Sequence, residues 1–128
     1  MKYIWDTNIA IYYLQQQLPP KAEEFIDDSL KEDLPFISAM TEIELLCWKN
    51  LTEQQTEVIN KFIAGSTVID LEKSIKSRTV EIRKHYRIKL PDAIIAASAL
   101  VYDLTLLTRN LKDFKDIENL KVFNPWAE

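Results

Sequence analysis

Short apolar runs alternate along this chain with longer segments of helical periodicity. Lys2 to Trp5, Leu34 to Ile37, Thr67 to Ile69, Leu104 to Leu107 and Lys121 to Phe123 read as short strands. Between them, Ile9 to Leu14, Lys21 to Leu30, Ser38 to Lys49, Gln54 to Ala64, Leu71 to Tyr86 and Pro91 to Leu100 read as helices. Pro19-Pro20 breaks the chain before the second helix, and Ser38 or Thr41 is expected to cap the third. The last helix is apolar and rich in alanine, which suits burial between other elements. Strands alternating with helices predict an α/β domain with a mostly parallel sheet. Sites in such domains lie at the carboxyl ends of the strands.

Composition narrows the chemistry. The chain has 128 residues, 47% hydrophobic and 28% charged, and is expected to form a single domain over residues 1–128. No apolar run approaches the roughly 18 residues of a membrane span, and the polar amino terminus does not resemble a signal peptide. One cysteine, Cys47, excludes an internal disulfide framework and fits a reducing cytoplasm. The single histidine, His85, argues against a His/Cys zinc site, so any metal would be held by oxygen, favouring Mg²⁺ or Mn²⁺. The single glycine, Gly65, excludes a glycine-rich phosphate loop. A net charge of -4 argues against tight non-specific nucleic-acid binding, yet a carboxylate cluster neutralised by cations gives the same balance.

Several acids fall where an α/β crevice would form. Asp6 directly follows the first strand, where it serves as a helix N-cap or points its oxygens at a cation, with Thr7 and Asn8 placed to hold it. In the third helix, Met40, Ile43 and Cys47 are expected on one apolar side with Glu44 at its border, needing a partner or a metal, while Glu42 faces solvent. Asp92 follows Pro91 in the first turn of the most apolar helix, where the positive helix end stabilises a carboxylate by about 0.3–1 kcal/mol. After the fourth strand, Asn110 or Asp113 could add an oxygen, Thr108 could orient a ligand or a water, and Arg109 could meet a phosphate. Each residue alone is also explained by capping, a salt bridge or a polar loop. Their shared placement is what singles them out.

At these residues the chain resembles the PIN-domain family and, within it, the VapC toxins of toxin–antitoxin pairs. The matching pieces, in the family's order, are Asp6-Thr7-Asn8, Ile37-Ser38 through Glu44-Leu45, Lys89-Leu90-Pro91-Asp92-Ala93-Ile94-Ile95-Ala96, Leu107-Thr108-Arg109-Asn110 with Asp113-Phe114, and Asn124-Pro125-Trp126. The resemblance implies a three-layer α/β/α domain with a short, mostly parallel sheet of four or five strands. It further implies that Asp6, Glu44 and Asp92 are acidic metal ligands, with Asn110 or Asp113 at the fourth position. The implied activity is Mg²⁺- or Mn²⁺-dependent hydrolysis of RNA, with a VapB-like antitoxin as partner and a homodimer as assembly. Trp48 departs from the glycine of many relatives. Arg87, Lys89, Arg109 and Lys112 are candidates for substrate phosphates. Cys47 is expected to pack within its helix and His85 to lie at the surface. A receiver-like phospho-acceptor domain and a degenerate PIN scaffold that only binds RNA or protein are the alternatives.

Overall fold

The computed structural model describes residues 2–126. Five short strands alternate with seven helices: β1 (Tyr3–Trp5), α1 (Thr7–Leu14), α2 (Pro20–Glu32), β2 (Phe36–Ser38), α3 (Ala39–Leu46), α4 (Glu53–Ala64), β3 (Thr67–Ile69), α5 (Lys73–His85), α6 (Leu90–Val101), β4 (Thr105–Leu107), α7 (Leu111–Phe114) and β5 (Val122–Phe123). The sheet order is β3-β2-β1-β4-β5, and every neighbouring pair is parallel. From β1 the chain moves outward through β2 to β3, then returns to place β4 on the other side of β1. The order therefore reverses between β1 and β4, which opens a crevice at their carboxyl ends.

The alternation of side chains along each strand divides the core in two. Ile4 and Leu106 face one way, into a cluster with Ile75 and Ile82 of α5 and Ala93, Ile95, Ala96 and Ala97 of α6. Trp5, Ile37 and Leu107 face the other way, against Ile9 and Ala10 of α1, Ala22 and Ile26 of α2, Leu45 of α3 and Ile59 of α4. The result is a three-layer α/β/α domain. Burying an aliphatic side chain stabilises by about 1.5–3 kcal/mol, against roughly 0.5–1.5 kcal/mol net for a hydrogen bond. Strands of two or three residues have few ladder bonds, so the two apolar layers hold the sheet together.

Three local readings of the sequence differ from the structure. Helix α1 begins at Thr7, two residues earlier than its apolar pattern suggests, because Asp6 caps it. Helix α3 ends at Leu46 and buries Thr41 and Leu45. Of the stripe expected on one apolar side, Met40 packs against the core, but Ile43 is 53% exposed and Cys47 is exposed, so Cys47 does not pack within the helix, and Leu46 is exposed as well. Glu42, expected in solvent, is half-buried. The inward face of α3 can be polar because its hydroxyls satisfy one another, with Thr41 accepting from Ser38. Finally, the polar segment after β4 contains the single turn α7, anchored by buried Phe114.

Candidate active site at the sheet crossover

Asp6 stands where β1 ends and α1 begins, in the crevice beside β4. Its backbone N–H donates to the Leu107 carbonyl at 3.0 Å, extending the β1–β4 pairing by one residue. Its carboxylate accepts from the Thr7 backbone N–H at 2.8 Å on Oδ1 and from the Thr108 hydroxyl at 2.8 Å on Oδ2. Thr108, fully buried just beyond β4, also accepts the backbone N–H of Asn110 at 2.9 Å. Thr108 thus clamps Asp6 and the start of the next loop together. Asp6 is buried, and that burial raises its pKa against the two hydrogen bonds that lower it, with the charges of Glu44 and Asp113 raising it further.

Asp92 approaches from α6, one residue after the Pro91 that opens the helix. Its pKa is pushed up to about 6, first by burial, then by the charges of Asp6 and Asp113, with Lys89 opposing and Glu44 adding to the rise. Glu44 comes from α3, and its Oε1 accepts the Thr7 hydroxyl at 2.6 Å. Asp6, Glu44 and Asp92 together line one cavity of about 450 Å³, with Thr7, Asn8, Ile11, Cys47, Trp48, Pro91 and Ile95 completing the wall. Asp113 does not line that cavity, but its charge reaches both Asp6 and Asp92. Asn110 donates through Nδ2 to Asp113 Oδ2 at 2.5 Å, so these two residues form a pair at the rim.

The remaining candidates are distributed unevenly. The Thr7 side chain holds Glu44 and not Asp6, and Asn8 lines the cavity without holding a carboxylate. Lys89 sits near enough to lower the pKa of Asp92, whereas Arg87 and Lys112 are exposed. Arg109 is also exposed, but its guanidinium lies 4.7 Å from the Trp126 ring centroid and donates to the Tyr12 hydroxyl at 3.2 Å. That engagement ties the chain after β5 to α1 and leaves Arg109 only partly available to a phosphate. His85 is at the surface. Trp48, Cys47 and Ile11 belong to the cavity wall, and nothing in their spacing along the sequence marks them for it.

The donor set consists of carboxylates, which suit a hard divalent cation. Among the described residues, no three His, Cys, Asp or Glu side chains are gathered closely enough to cage an ion. Burial is the first cause of the raised pKa values of Asp6 and Asp92, and the like charges gathered at this crevice raise them further. A rim of acids without a closed cage fits Mg²⁺, which keeps several of its waters and leans on one or two carboxylates.

An all-parallel three-layer sheet with an acidic crevice at its crossover defines the class. Residues 3–120 match the PIN domain, and the chain belongs to the PIN-domain family. It is 28% identical to Ribonuclease VapC2 of Rickettsia felis over 132 residues, covering 97% of this chain and 98% of that protein. Among solved structures, it is similar to VapBC2 from Rickettsia felis bound to a DNA fragment from their promoter, with a TM-score of 0.80 and 26% identity, covering 99% of this chain and 100% of that one. It is similar also to a toxin–antitoxin complex from Klebsiella pneumoniae, with a TM-score of 0.78 and 30% identity, again covering 99% and 100% of the two chains. A third is DNA-bound VapBC from Salmonella typhimurium, with a TM-score of 0.82 and 26% identity over 98% of each chain. Membership of this family sets aside the receiver-like alternative. Asp70, the only acid that reading could use after a later strand, follows β3 at the edge of the sheet.

Proposed function

We propose that this chain is a divalent-metal-dependent endoribonuclease, acting as the toxin of a VapBC-type pair. The observation that carries this reading is geometric: Asp6, Glu44 and Asp92, from three separate elements, line one cavity, and beyond the effect of burial the charges of Glu44 and Asp113 raise the pKa of Asp6 and Asp92. A fold gathers like charges in this way when something positive is meant to bind there. The names of the relatives supply the rest of the reading, namely RNA as substrate and a VapB-like antitoxin as partner.

Asp6, Glu44, Asp92 and Asp113 would hold Mg²⁺ or Mn²⁺, and Asn110 would hold Asp113. When bound, such a cation supplies Lewis-acid activation of an attacking water and neutralises charge at the phosphodiester. Thr108 keeps both oxygens of Asp6 at fixed positions together with the Thr7 N–H, and Thr7 holds one oxygen of Glu44. Lys89, beside Asp92, is placed to attract a phosphate, with Arg87 and Lys112 extending that attraction. Exposed Ile43 and Leu46 on α3 support a homodimer, because paired copies would cover both. Among the described residues no helix is long and apolar enough to cross a membrane.

One observation favours a second reading, a scaffold that binds without cleaving: Asn110, an uncharged amide, stands at one of the two candidate fourth positions and is paired with Asp113. A cleavage assay on a single-stranded RNA library separates the two. The nuclease reading expects cutting that EDTA abolishes and excess Mn²⁺ restores. Cutting that survives chelation, or RNA binding with no cleavage in Mn²⁺, contradicts it.

A further inference from the structure

Ser38, Thr41 and Glu44 are spaced three residues apart, the first capping α3 and the other two within it, and Thr7 of α1 lies beside them. Their polar groups touch in sequence. Ser38 Oγ meets Thr41 Oγ1 at 3.3 Å, Thr41 Oγ1 meets Thr7 Oγ1 at 2.8 Å, and Thr7 Oγ1 meets Glu44 Oε1 at 2.6 Å. Each hydroxyl carries one proton, and a carboxylate can only accept. The single proton of Thr7 is therefore committed to Glu44, at the short distance of a charge-assisted bond. The Thr41–Thr7 contact must then be donated by Thr41, and the Ser38–Thr41 contact by Ser38. Ser38 Oγ in turn accepts the Thr41 backbone N–H at 3.1 Å, which closes the far end. All the protons point one way, toward Glu44.

Burial keeps this direction fixed. Ser38 and Thr41 are fully buried, leaving no solvent to offer their hydroxyls other partners, and Thr7, nearly buried at the cavity wall, is held by Glu44. Glu44, by contrast, belongs to an exposed residue position, where a glutamate with three rotatable bonds would sample many rotamers. The oxygen that Thr7 engages is held, and Glu44 lines the cavity.

We infer that Ser38 and Thr41 are positioning residues: acting through Thr7, they fix the Glu44 carboxylate at the cavity wall. The inference rests on the metal-dependent reading only for what Glu44 then meets. Glu44 is presented in advance of the cation, at no cost in side-chain freedom when the cation arrives.

The test compares wild type with Thr41→Val, which removes the hydroxyl at nearly constant volume, and Thr41→Ser, which restores it. Mn²⁺ affinity, read by the paramagnetic resonance of the free ion, should fall about three- to tenfold in Thr41→Val, less than the roughly 10–100-fold typical of a direct supporting partner. Thr41→Ser should recover wild-type affinity. At limiting Mn²⁺, kcat for RNA should fall in Thr41→Val with KM unchanged, and excess Mn²⁺ should recover it. Equal Mn²⁺ affinity in Thr41→Val and wild type overturns the inference while leaving the nuclease reading standing. A wild-type chain that binds no Mn²⁺ overturns the nuclease reading. The positioning role is then judged by NMR alone, since Glu44 side-chain couplings should show one rotamer in wild type and averaging in Thr41→Val. Should Thr41→Val not fold, wild type still decides. The Thr7 and Thr41 hydroxyl protons should exchange slowly enough with water to give resolved signals, and their rapid exchange would refute a buried one-way chain.

Discussion

Replacing Asp92 by asparagine is expected to lower RNA cleavage by about two to four orders of magnitude and, in the same protein, to raise metal-free stability at neutral pH. The first effect follows from the role proposed for Asp92 in holding a cation that the reaction requires. The second follows from the structure. Asp92 sits half-buried among the charges of Asp6, Asp113 and Glu44, opposed only by Lys89, and its ionised form is disfavoured there. An amide of the same shape removes the charge and its repulsion. Raising the carboxyl from its ordinary 3.8 to about 6 corresponds to about 3 kcal/mol, and solvent screening at a partly exposed group reduces this to about 1–2 kcal/mol. Activity and stability thus move in opposite directions, which a variant that merely unfolds cannot produce. Urea unfolding in EDTA and single-turnover cleavage in Mn²⁺ measure the two. Retained cleavage would remove Asp92 from the site, and lost stability would contradict the crowded-anion picture.

The metal-free chain should also lose stability relative to Asp92→Asn as pH rises from about 4 to about 6. The sign follows from the protons bound. Asp92 titrates near 3.8 when unfolded and near 6 when folded, so between those values the folded chain holds more protons. Stability attributable to this group therefore falls as pH rises through that window. The penalty is absent below the unfolded value and complete above the folded one. The pKa of Asp6 is raised as well, which pushes in the same direction. The difference between wild type and Asp92→Asn should be near zero at about pH 4 and reach about 1–2 kcal/mol by pH 7. Mn²⁺ should cancel the difference by binding wild type more tightly, the more so at higher pH, where the carboxylates are ionised. Parallel unfolding profiles for the two proteins across this range would contradict the assigned coupling.

Much of the architecture is legible in the sequence because each strand is a short apolar run between helical patterns. Thr67 to Ile69 matches β3 without adjustment, and Pro91 marks the opening of α6 to within a residue. Helix α3 shows where pattern reading fails. Periodicity assumes that apolar residues point inward, yet here Ser38 and Thr41 face the interior and Ile43 and Leu46 face out. A buried polar face is affordable only when its groups satisfy one another, and that depends on Thr7, 34 residues away from Thr41. The spacing Ser38–Thr41–Glu44 is the one sequence signal that could have found it.

The site is legible in kind and less so in detail. Asp6 and Asp92 are identifiable because they lie at a strand end and a helix start, and Glu44 because it borders an apolar stripe of its helix; the structure brings all three to one cavity. The choice between Asn110 and Asp113 cannot be made from spacing, because both lie within one turn of chain. In the structure the two residues are paired, Asn110 donating to Asp113, and the charge of Asp113 raises the pKa of both Asp6 and Asp92. Arg109 has the chemistry of a phosphate ligand, but the return of Trp126 onto Tyr12 occupies it, a tertiary closure with no local signature.

Crystals equilibrated with Mn²⁺ and measured at the metal's absorption edge test the central claim most directly. An anomalous peak in the crevice between β1 and β4, at roughly the 2.1 Å of hard-oxygen coordination from Asp6 and at least one of Glu44, Asp92 and Asp113, is the expected result. A fully occupied ion bound elsewhere, with the four acids still apart, would contradict it.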